Sequence, residues 1–204
     1  GSLSHLQGSK HLIGWNWDAL LYVEGDGEGE PGADARLREV VAATPGVQAA
    51  TSGTIFTPVL VAFGPDEIFT PLFTFDGGPI GPTLISGRAP SGPTEIVLGR
   101  ETLATLGYHE GDQIPFLATS GASDELASGQ SLRGTLRIVG TAVLPAGGGG
   151  DRLGTGGAVD AEFVRSLLPE AQSGAVFVRY EPGADPRAVI AAVADSLGAA
   201  AVGS

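Results

Sequence analysis

The residues that could do chemistry begin with an acidic loop near the N-terminus. It carries four carboxylates at alternate positions: Glu24, Asp26, Glu28 and Glu30. Calcium prefers several carboxylate oxygens on a flexible loop. The EF-hand pattern fails here, because Pro31 stands where it needs glycine and Leu37 where it needs the closing glutamate. Since negative charge just before a helix is favourable without a metal, we predict no metal site, with calcium in this loop as the alternative.

Other reactive side chains do not form a recognisable site. His5, His11 and His109 are scattered without a ligand partner at zinc spacing, and the chain has no Cys and hence no thiolate. The nucleophile motif Gly-x-Ser-x-Gly is missing. The Gly-rich run 147–154 lacks the Gly-Lys-Ser/Thr of a phosphate loop, and the only lysine is Lys10. We predict no catalytic residue and no cofactor; a hydrolase that uses an acidic pair is the alternative.

Aromatic side chains are concentrated in one segment. Five of the eight phenylalanines lie within 20 residues: Phe56, Phe63, Phe69, Phe73 and Phe75. The sequence Ile-Phe-Thr-Pro occurs at 55–58 and again at 68–71, on either side of a Gly-Pro-Asp turn. This predicts a hairpin of which at least one arm is an edge strand or is bulged, because proline cannot donate to a ladder. We predict a partner or substrate surface here, with a core-facing hairpin as the alternative. Asp or Lys at Phe69 or Phe73 should then impair function and leave the domain folded.

The charge and hydropathy of the chain restrict the classes of partner that it can bind. The 204 residues are 42% hydrophobic, enough for a core, and carry a formal net charge of −12 from 11 basic and 23 acidic side chains. Such a surface repels phosphate backbones and anionic lipid, so we predict no nucleic-acid binding. No run approaches the roughly 20 apolar residues of a spanning helix. Met is absent and Gly1-Ser2 is typical of a cloning scar, so we expect a fragment whose membrane segments lie outside it.

Apolar periodicity and turn residues predict many short elements. Strands are expected at 20–23, 47–63, 94–98, 113–117, 135–144 and 175–180, and helices at 33–44, 101–106, 160–168 and from 185. Turns and loops are expected at 77–93, 119–131 and 146–157. Strand–helix units at both ends and a β-rich middle predict an α+β domain with an inserted subdomain. We divide the chain into a tag or juxtamembrane linker at 1–14, an α/β subdomain at 15–80 with 158–204, and an inserted β-rich subdomain at 81–157.

A longer motif lies in the middle of the chain. Residues 87–99 read Gly-Arg-Ala-Pro-Ser-Gly-Pro-Thr-Glu-Ile-Val-Leu-Gly, followed by Leu-Ala-Thr-Leu-Gly at 103–107, Gly-Asp-Gln-Ile at 111–114 and Arg-Ile-Val-Gly at 137–140. This set resembles the extracytoplasmic domain of FtsX-like ABC transporter permeases, including the MacB periplasmic core type. The Phe-rich hairpin and the Gly-rich loop do not align to that pattern. By its residue types, the motif predicts a turn, a buried strand, a short helix and a tight turn. Such a segment has a structural role rather than a catalytic one.

The resemblance implies a non-catalytic domain between the first and second transmembrane helices of a plasma-membrane permease, on the extracytoplasmic side. Its fold would be a βαβ-type porter-like subdomain from both chain ends with an inserted Sabre-like subdomain. Its partners would be its own transmembrane helices and a separate cytoplasmic ABC ATPase subunit, with a second permease copy or a cell-wall protein as further partners. It would couple ATP hydrolysis to export or extraction of a substrate, or activate a cell-wall hydrolase. A free-standing secreted binding module is the alternative outside this family.

Overall fold

A computed structural model describes residues 16–23, 33–54, 59–76, 78–120, 131–144, 154–167, 175–197 and 202–203. In chain order its elements are β1 (Ala19–Val23), α1 (Ala33–Ala43), β2 (Val47–Thr54), β3 (Val59–Phe63), β4 (Ile68–Phe69), β5 (Leu72–Asp76), β6 (Thr83–Gly87), β7 (Glu95–Gly99), α2 (Arg100–Leu106), β8 (Gln113–Ser120), β9 (Ser131–Val143), β10 (Gly157–Asp160), α3 (Ala161–Leu167), β11 (Ala175–Tyr180), α4 (Pro186–Leu197) and β12 (Val202–Gly203). The described residues fall into two compact units. We call them the terminal unit (within 16–54, 75–81 and 175–203) and the central unit (within 59–74 and 82–167).

The terminal unit consists of two interlocked strand–helix–strand pieces. Its strands lie in the order β12-β1-β11-β2, and each neighbouring pair is antiparallel. The piece β1-α1-β2 has β11 between its two strands, and the piece β11-α4-β12 has β1 between its two strands. This split βαβ arrangement is the βαβ-type subdomain from both chain ends that the sequence predicts.

Helices α1 and α4 belong to the core of the terminal unit because each carries apolar residues at helical spacing. Leu37, Val41 and Val193 are buried together with apolar side chains of β1 and β11. Helix α4 begins as predicted at an Asp-Pro pair, where Asp185 Oδ1 accepts the amide hydrogen of Arg187 at 3.0 Å. Of the described helices, none is long and apolar enough to cross a membrane.

The central unit is a mixed sheet with two short helices. Its strands follow the order β5-β10-β7-β9-β8-β3-β4, and β6 pairs with β9 outside this path. The β7–β9 pair is parallel, while β8–β9, β3–β8 and β7–β10 are antiparallel. One core cluster contains strand residues together with Phe163 and Val164 of α3, and Leu103 and Leu106 of α2 pack against it. The α+β class predicted from the sequence is thus confirmed.

Two strands occur where the sequence predicts turns and loops. Strand β6 lies within 77–93, and β10 begins at Gly157, the last residue of the loop predicted at 146–157. Both are short and follow glycine or proline, so their own patterns do not identify them. These two segments are strands because they pair with other strands: β6 pairs with β9, and β10 pairs with β7.

The hairpin around the Gly-Pro-Asp turn is confirmed for its described part. Ala62 pairs with Phe69 and Phe63 with Ile68, and β4 ends the strand order of the central unit as an edge strand should. Residues 55–58, the first copy of the repeat, lie outside the described residues.

The compact units differ in their limits from the subdomains expected from the sequence. Residues 59–74 and 158–167 cluster with the central unit, although the sequence places them with the chain ends. The cause is long-range pairing: β3 pairs with β8 at five positions, and β10 pairs with β7 at three.

Candidate functional site

The phenylalanines of the predicted contact surface differ in how far they are buried. Phe63 and Phe73 are 0% and 1% exposed, so both belong to the interior and neither is available to a partner. Phe75 lies in the terminal unit and is half-buried, with its ring 5.0 Å from that of Phe177. Phe69 contributes backbone to β4, and its side chain lies outside the described residues, as does all of Phe56. The expectation that a charge at Phe73 leaves the domain folded is therefore corrected, since a charge there would be buried.

The residues considered as metal ligands or nucleophiles do not come together as a site in the part of the chain that is described. His109 is exposed, with Nδ1 3.7 Å from Asp112 Oδ2. The acidic loop 24–30, His5 and His11 lie outside the described residues. Within the described ranges, no group of three or more His, Cys, Asp or Glu is placed to hold a metal ion.

The motif at 87–99 is a turn fixed by one ion pair. Arg88 Nη1 donates to Glu95 Oε2 at 2.6 Å, and Nη2 donates to Oε1. Ser91 adds its amide and its hydroxyl, 3.0 and 3.1 Å from Glu95 Oε2. The hydrogen bonds from Arg88 lower the pKa of Glu95 to about 2. The motif thus connects β6 to β7 as a rigid turn, in agreement with its structural interpretation from the sequence.

Glutamate 110 fixes β6 to the rest of the central unit. It stands after α2 and accepts hydrogen bonds from the hydroxyls of Ser86 on β6 and Thr141 on β9, the latter at 2.7 Å. These two hydroxyls lower the pKa of the Glu110 carboxyl. The hydrogen bonds of Ser86 and Thr141 to Glu110 therefore connect β6, β9 and the segment after α2.

Residues 16–18, which we call the entry clamp, are fixed to β11 in the terminal unit. Arg179 Nε donates to the carbonyl oxygen of Asn16 at 2.8 Å, and the Tyr180 amide donates to Asp18 Oδ2 at 2.8 Å. The Asp18 amide in turn donates to the carbonyl oxygen of Val178 at 2.7 Å. Burial, and then the Asp18 carboxylate, raise the pKa of Tyr180. Three hydrogen bonds thus join residues that are 160 to 163 positions apart in the chain.

Trp17, the middle residue of the entry clamp, packs against aromatic rings of the terminal unit. Its side chain is 2% exposed, and its ring lies 4.7 Å from that of Phe177 and 6.2 Å from that of Phe75, in edge-to-face geometry. Asn16 Nδ2 also donates to the carbonyl oxygen of Gly81 at 2.6 Å. The sequence leaves open whether Trp17 packs on the first helix or sits at a membrane interface. Trp17 lies between aromatic rings of the terminal unit, and Trp15, for which the same alternatives apply, lies outside the described residues.

Strand β12 ends the strand order of the terminal unit and lies beside β1. Tyr22 pairs with Gly203 and Val23 with Val202, antiparallel. Strand β12 therefore runs towards the Ala19 end of β1, and the entry clamp directly precedes that end. Gly203 itself lies opposite Tyr22, four positions beyond Asp18 along the chain.

Exposed apolar side chains are few among the described residues. The large ones are Tyr22, Ile68, Leu84, Ile85 and Leu132. Leu84 and Ile85 are adjacent on β6, 40% and 43% exposed, at a β-bulge against β9. Leu84 and Ile85 are thus an exposed apolar pair on a strand whose register against β9 is irregular.

Sequence reasoning missed the entry clamp. Its two halves, Asn16–Asp18 and Arg179–Tyr180, look like ordinary ends of strands, and only the fold brings them together. The signal available in the sequence is a tryptophan that is directly followed by an acidic residue at the start of a strand.

Comparison with known proteins places the fold. No protein-family model matches the sequence, and no curated protein matches it. Among solved structures, the chain is similar to the periplasmic region of MacB from Actinobacillus actinomycetemcomitans, with a TM-score of 0.59, 11% identity, and coverage of 96% of this chain and 90% of that one. It is also similar to the extracellular domain of the noncanonic ABC-type transporter YknZ from Gram-positive bacteria, with a TM-score of 0.55, 12% identity, and coverage of 90% and 96%. The resemblance read from the motif at 87–99 is thus confirmed for the fold.

Proposed function

We propose that this chain is a non-catalytic extracytoplasmic domain of an ABC transporter permease. It couples ATP hydrolysis in the cytoplasm to export or extraction of a substrate at the outer face of the membrane. The observation that carries the proposal is the fold similarity, which extends over nine-tenths or more of this chain and of both transporter regions.

The position of the chain ends supports attachment to the membrane on both sides. Strand β12 runs antiparallel to β1 and points towards the end of β1 at which the entry clamp lies. A domain inserted between two transmembrane helices needs its ends close together and on one side, because both helices start from the same membrane surface. The split βαβ topology achieves this by pairing the first strand with the last.

The proposed partners follow from this placement. The flanking transmembrane helices of the same protein hold the domain, and a separate cytoplasmic ABC ATPase subunit binds the nucleotide. A second permease copy or a cell-wall protein is a further candidate on the outer side. The contact surface is proposed at the β3–β4 hairpin, where Ile68 is 37% exposed and Phe69 remains the predicted contact.

The experiment is hydrogen–deuterium exchange on the full-length permease in complex with its ATPase. The complex is compared free of nucleotide and trapped with ATP and vanadate. Coupling predicts altered exchange in the peptides that contain residues 16–23 and 175–180, where the chain ends are attached. Peptides from the core of the central unit, such as 95–99, serve as the internal control. An ATPase that does not copurify, or identical exchange in both states, would contradict the proposal.

A further inference from the structure

We infer that β6 is a docking strand for an extended segment of a partner protein, which adds to the edge of β6 that faces away from β9 and brings a lysine or arginine to Glu110. The inference goes beyond the proposed function, because it assigns a contact surface other than the β3–β4 hairpin. It concerns this chain alone and does not depend on a membrane or an ATPase.

Strand β6 has one edge without a strand partner in the part of the chain that the structure describes. It pairs with β9 on one side, and no described strand pairs with it on the other. Residues 84–87 are all exposed, so the rest of the chain leaves this strand accessible. The edge of a strand presents backbone N–H and C=O groups to which a further extended segment binds by hydrogen bonds.

The side chains of β6 favour an apolar partner segment. Leu84 and Ile85 are 40% and 43% exposed, and the strand sequence Thr-Leu-Ile-Ser-Gly contains no charged residue, although charges are a common means of preventing edge-to-edge pairing. The register against β9 shifts between Leu84 and Ser86, and such a shift interrupts a regular ladder. The added segment is therefore short, and its affinity depends on apolar contacts with this pair as well as on backbone hydrogen bonds.

The C-terminal half of β6 is connected to its surroundings by side chains as well as by backbone. The Ser86 hydroxyl donates to Glu110, and Arg88, directly after the strand, is paired with Glu95 of β7. The Arg88 amide also donates to the carbonyl oxygen of Val139 at 3.0 Å. A binding surface that is ordered beforehand loses less conformational entropy when the partner arrives, so these contacts favour docking on β6.

The Glu110 carboxylate determines the charge of the partner segment. Its Oε1 accepts hydrogen bonds from the neutral hydroxyls of Ser86 and Thr141, and among the described residues no basic side chain forms an ion pair with it. Glu110 is exposed, and neighbouring strands lie about 4.8 Å apart. A lysine or arginine opposite Ser86 on the added strand therefore reaches this carboxylate, and the net charge of −12 favours the approach of a basic segment.

A second copy of this chain fits the same edge less well. Strand β6 has five residues and is about 17 Å long, which is short for the roughly 800 Å² per partner of a stable interface between folded proteins. Pairing of two β6 strands would also bring two Glu110 carboxylates to one interface, with no basic residue on either strand. The edge thus suits one extended basic and apolar segment of a different protein.

Titration of the ¹⁵N-labelled 204-residue chain with peptides, followed by amide chemical shifts, tests the inference. The probe is the end-blocked peptide Lys-Thr-Val-Thr-Val-Thr-Lys, which is generic because backbone groups supply the ladder. At millimolar concentration it should shift the amides of Leu84, Ile85 and Ser86. The control Lys-Thr-Pro-Pro-Val-Thr-Lys lacks two adjacent N–H groups and should bind about tenfold more weakly. No shift in β6, or equal binding of both peptides, would overturn the inference.

A charge-reversed peptide and two variants test the role of Glu110. The peptide Glu-Thr-Val-Thr-Val-Thr-Glu should bind about fivefold more weakly than its lysine counterpart. In Glu110→Gln, which keeps an acceptor for the Ser86 hydroxyl, this preference should disappear. Glu101→Gln, exposed in the first turn of α2, is the matched control and should keep it. Equal affinity of the two peptides for the unaltered chain, or an undiminished preference in Glu110→Gln, would contradict the assignment.

Two controls on the protein itself complete the test. Dilution of the chain without peptide should leave the amide shifts of β6 unchanged, whereas shifts that depend on protein concentration would show that a second copy occupies this edge and would overturn the inference. If circular dichroism shows that Glu110→Gln does not fold, the comparison of the three peptides on the unaltered chain still decides. Since these measurements need neither ATPase nor membrane, their failure is distinct from failure of the proposed function.

Discussion

Replacing Phe63 with alanine should strongly destabilise the domain, because this side chain is part of the core rather than of a contact surface. Phe63 is 0% exposed, in one cluster with Val61 and Phe116. Removing a fully buried phenylalanine side chain typically costs about 3–5 kcal/mol, since transfer free energy is lost and a cavity remains. For a domain of this size, each kcal/mol lowers the melting temperature by about 2–4 °C. The expected decrease is therefore about 6–20 °C.

The assay is thermal and urea denaturation of the chain followed by far-ultraviolet circular dichroism. Ile68→Ala, on the same hairpin but 37% exposed, is the matched control and should cost about 1 kcal/mol or less. A Phe63→Ala variant as stable as the Ile68→Ala variant would refute the placement of this hairpin. It would also restore Phe63 to the contact surface predicted from the sequence.

Three further predictions concern single contacts. Glu95→Gln should destabilise the chain at pH 7 but little at pH 2, because a carboxyl whose pKa is lowered to about 2 stabilises the fold above its unfolded pKa and loses that effect as pH falls through 2; urea denaturation of both chains across this range checks it. Gly87→Ala should cost about 1–3 kcal/mol, since Gly87 has φ +72° and a Cβ there would lie 2.3 Å from the Val139 carbonyl oxygen, whereas Gly81→Ala, with no atom within 4 Å, should melt like the unaltered chain. Asp185→Ala should cost about 1 kcal/mol through loss of the α4 cap, while an equal effect of Asp195→Ala on the exposed side of that helix would indicate a general charge effect instead.

The local sequence pattern predicts the helices and strands of this fold well where capping residues and apolar periodicity mark them. Helix α4 follows from the Asp-Pro start and from apolar residues one turn apart, and α2 from its Leu pair and the closing Gly107, which has φ 72°. Strands β6 and β10 could not be predicted, because they are short and owe their existence to pairing with β9 and β7. The limits of the two compact units likewise depend on strand pairing over long sequence distances, which is not visible in local periodicity.

The candidate site was predictable only in part. The turn formed by Arg88 and Glu95 was recognisable from its motif, and its structural role agrees with the observed ion pair. A count of phenylalanines could not separate Phe63 and Phe73, which are in the core, from exposed residues, because β-strand alternation and the covering helices decide which face is buried. The entry clamp depends on a fold that brings residue 18 beside residue 180.

Labelling of single cysteines in whole cells tests the extracytoplasmic placement most directly. In the full-length protein freed of any other cysteine, Ala191→Cys on the exposed side of α4 is treated with a membrane-impermeant maleimide, and Ala158→Cys, at a position that is 0% exposed, is the matched control. The account predicts that intact cells with an accessible outer face label the variant at 191, and that the variant at 158 reacts only after denaturation. Labelling at 191 that appears only once the cells are lysed would place the domain in the cytoplasm and contradict the account.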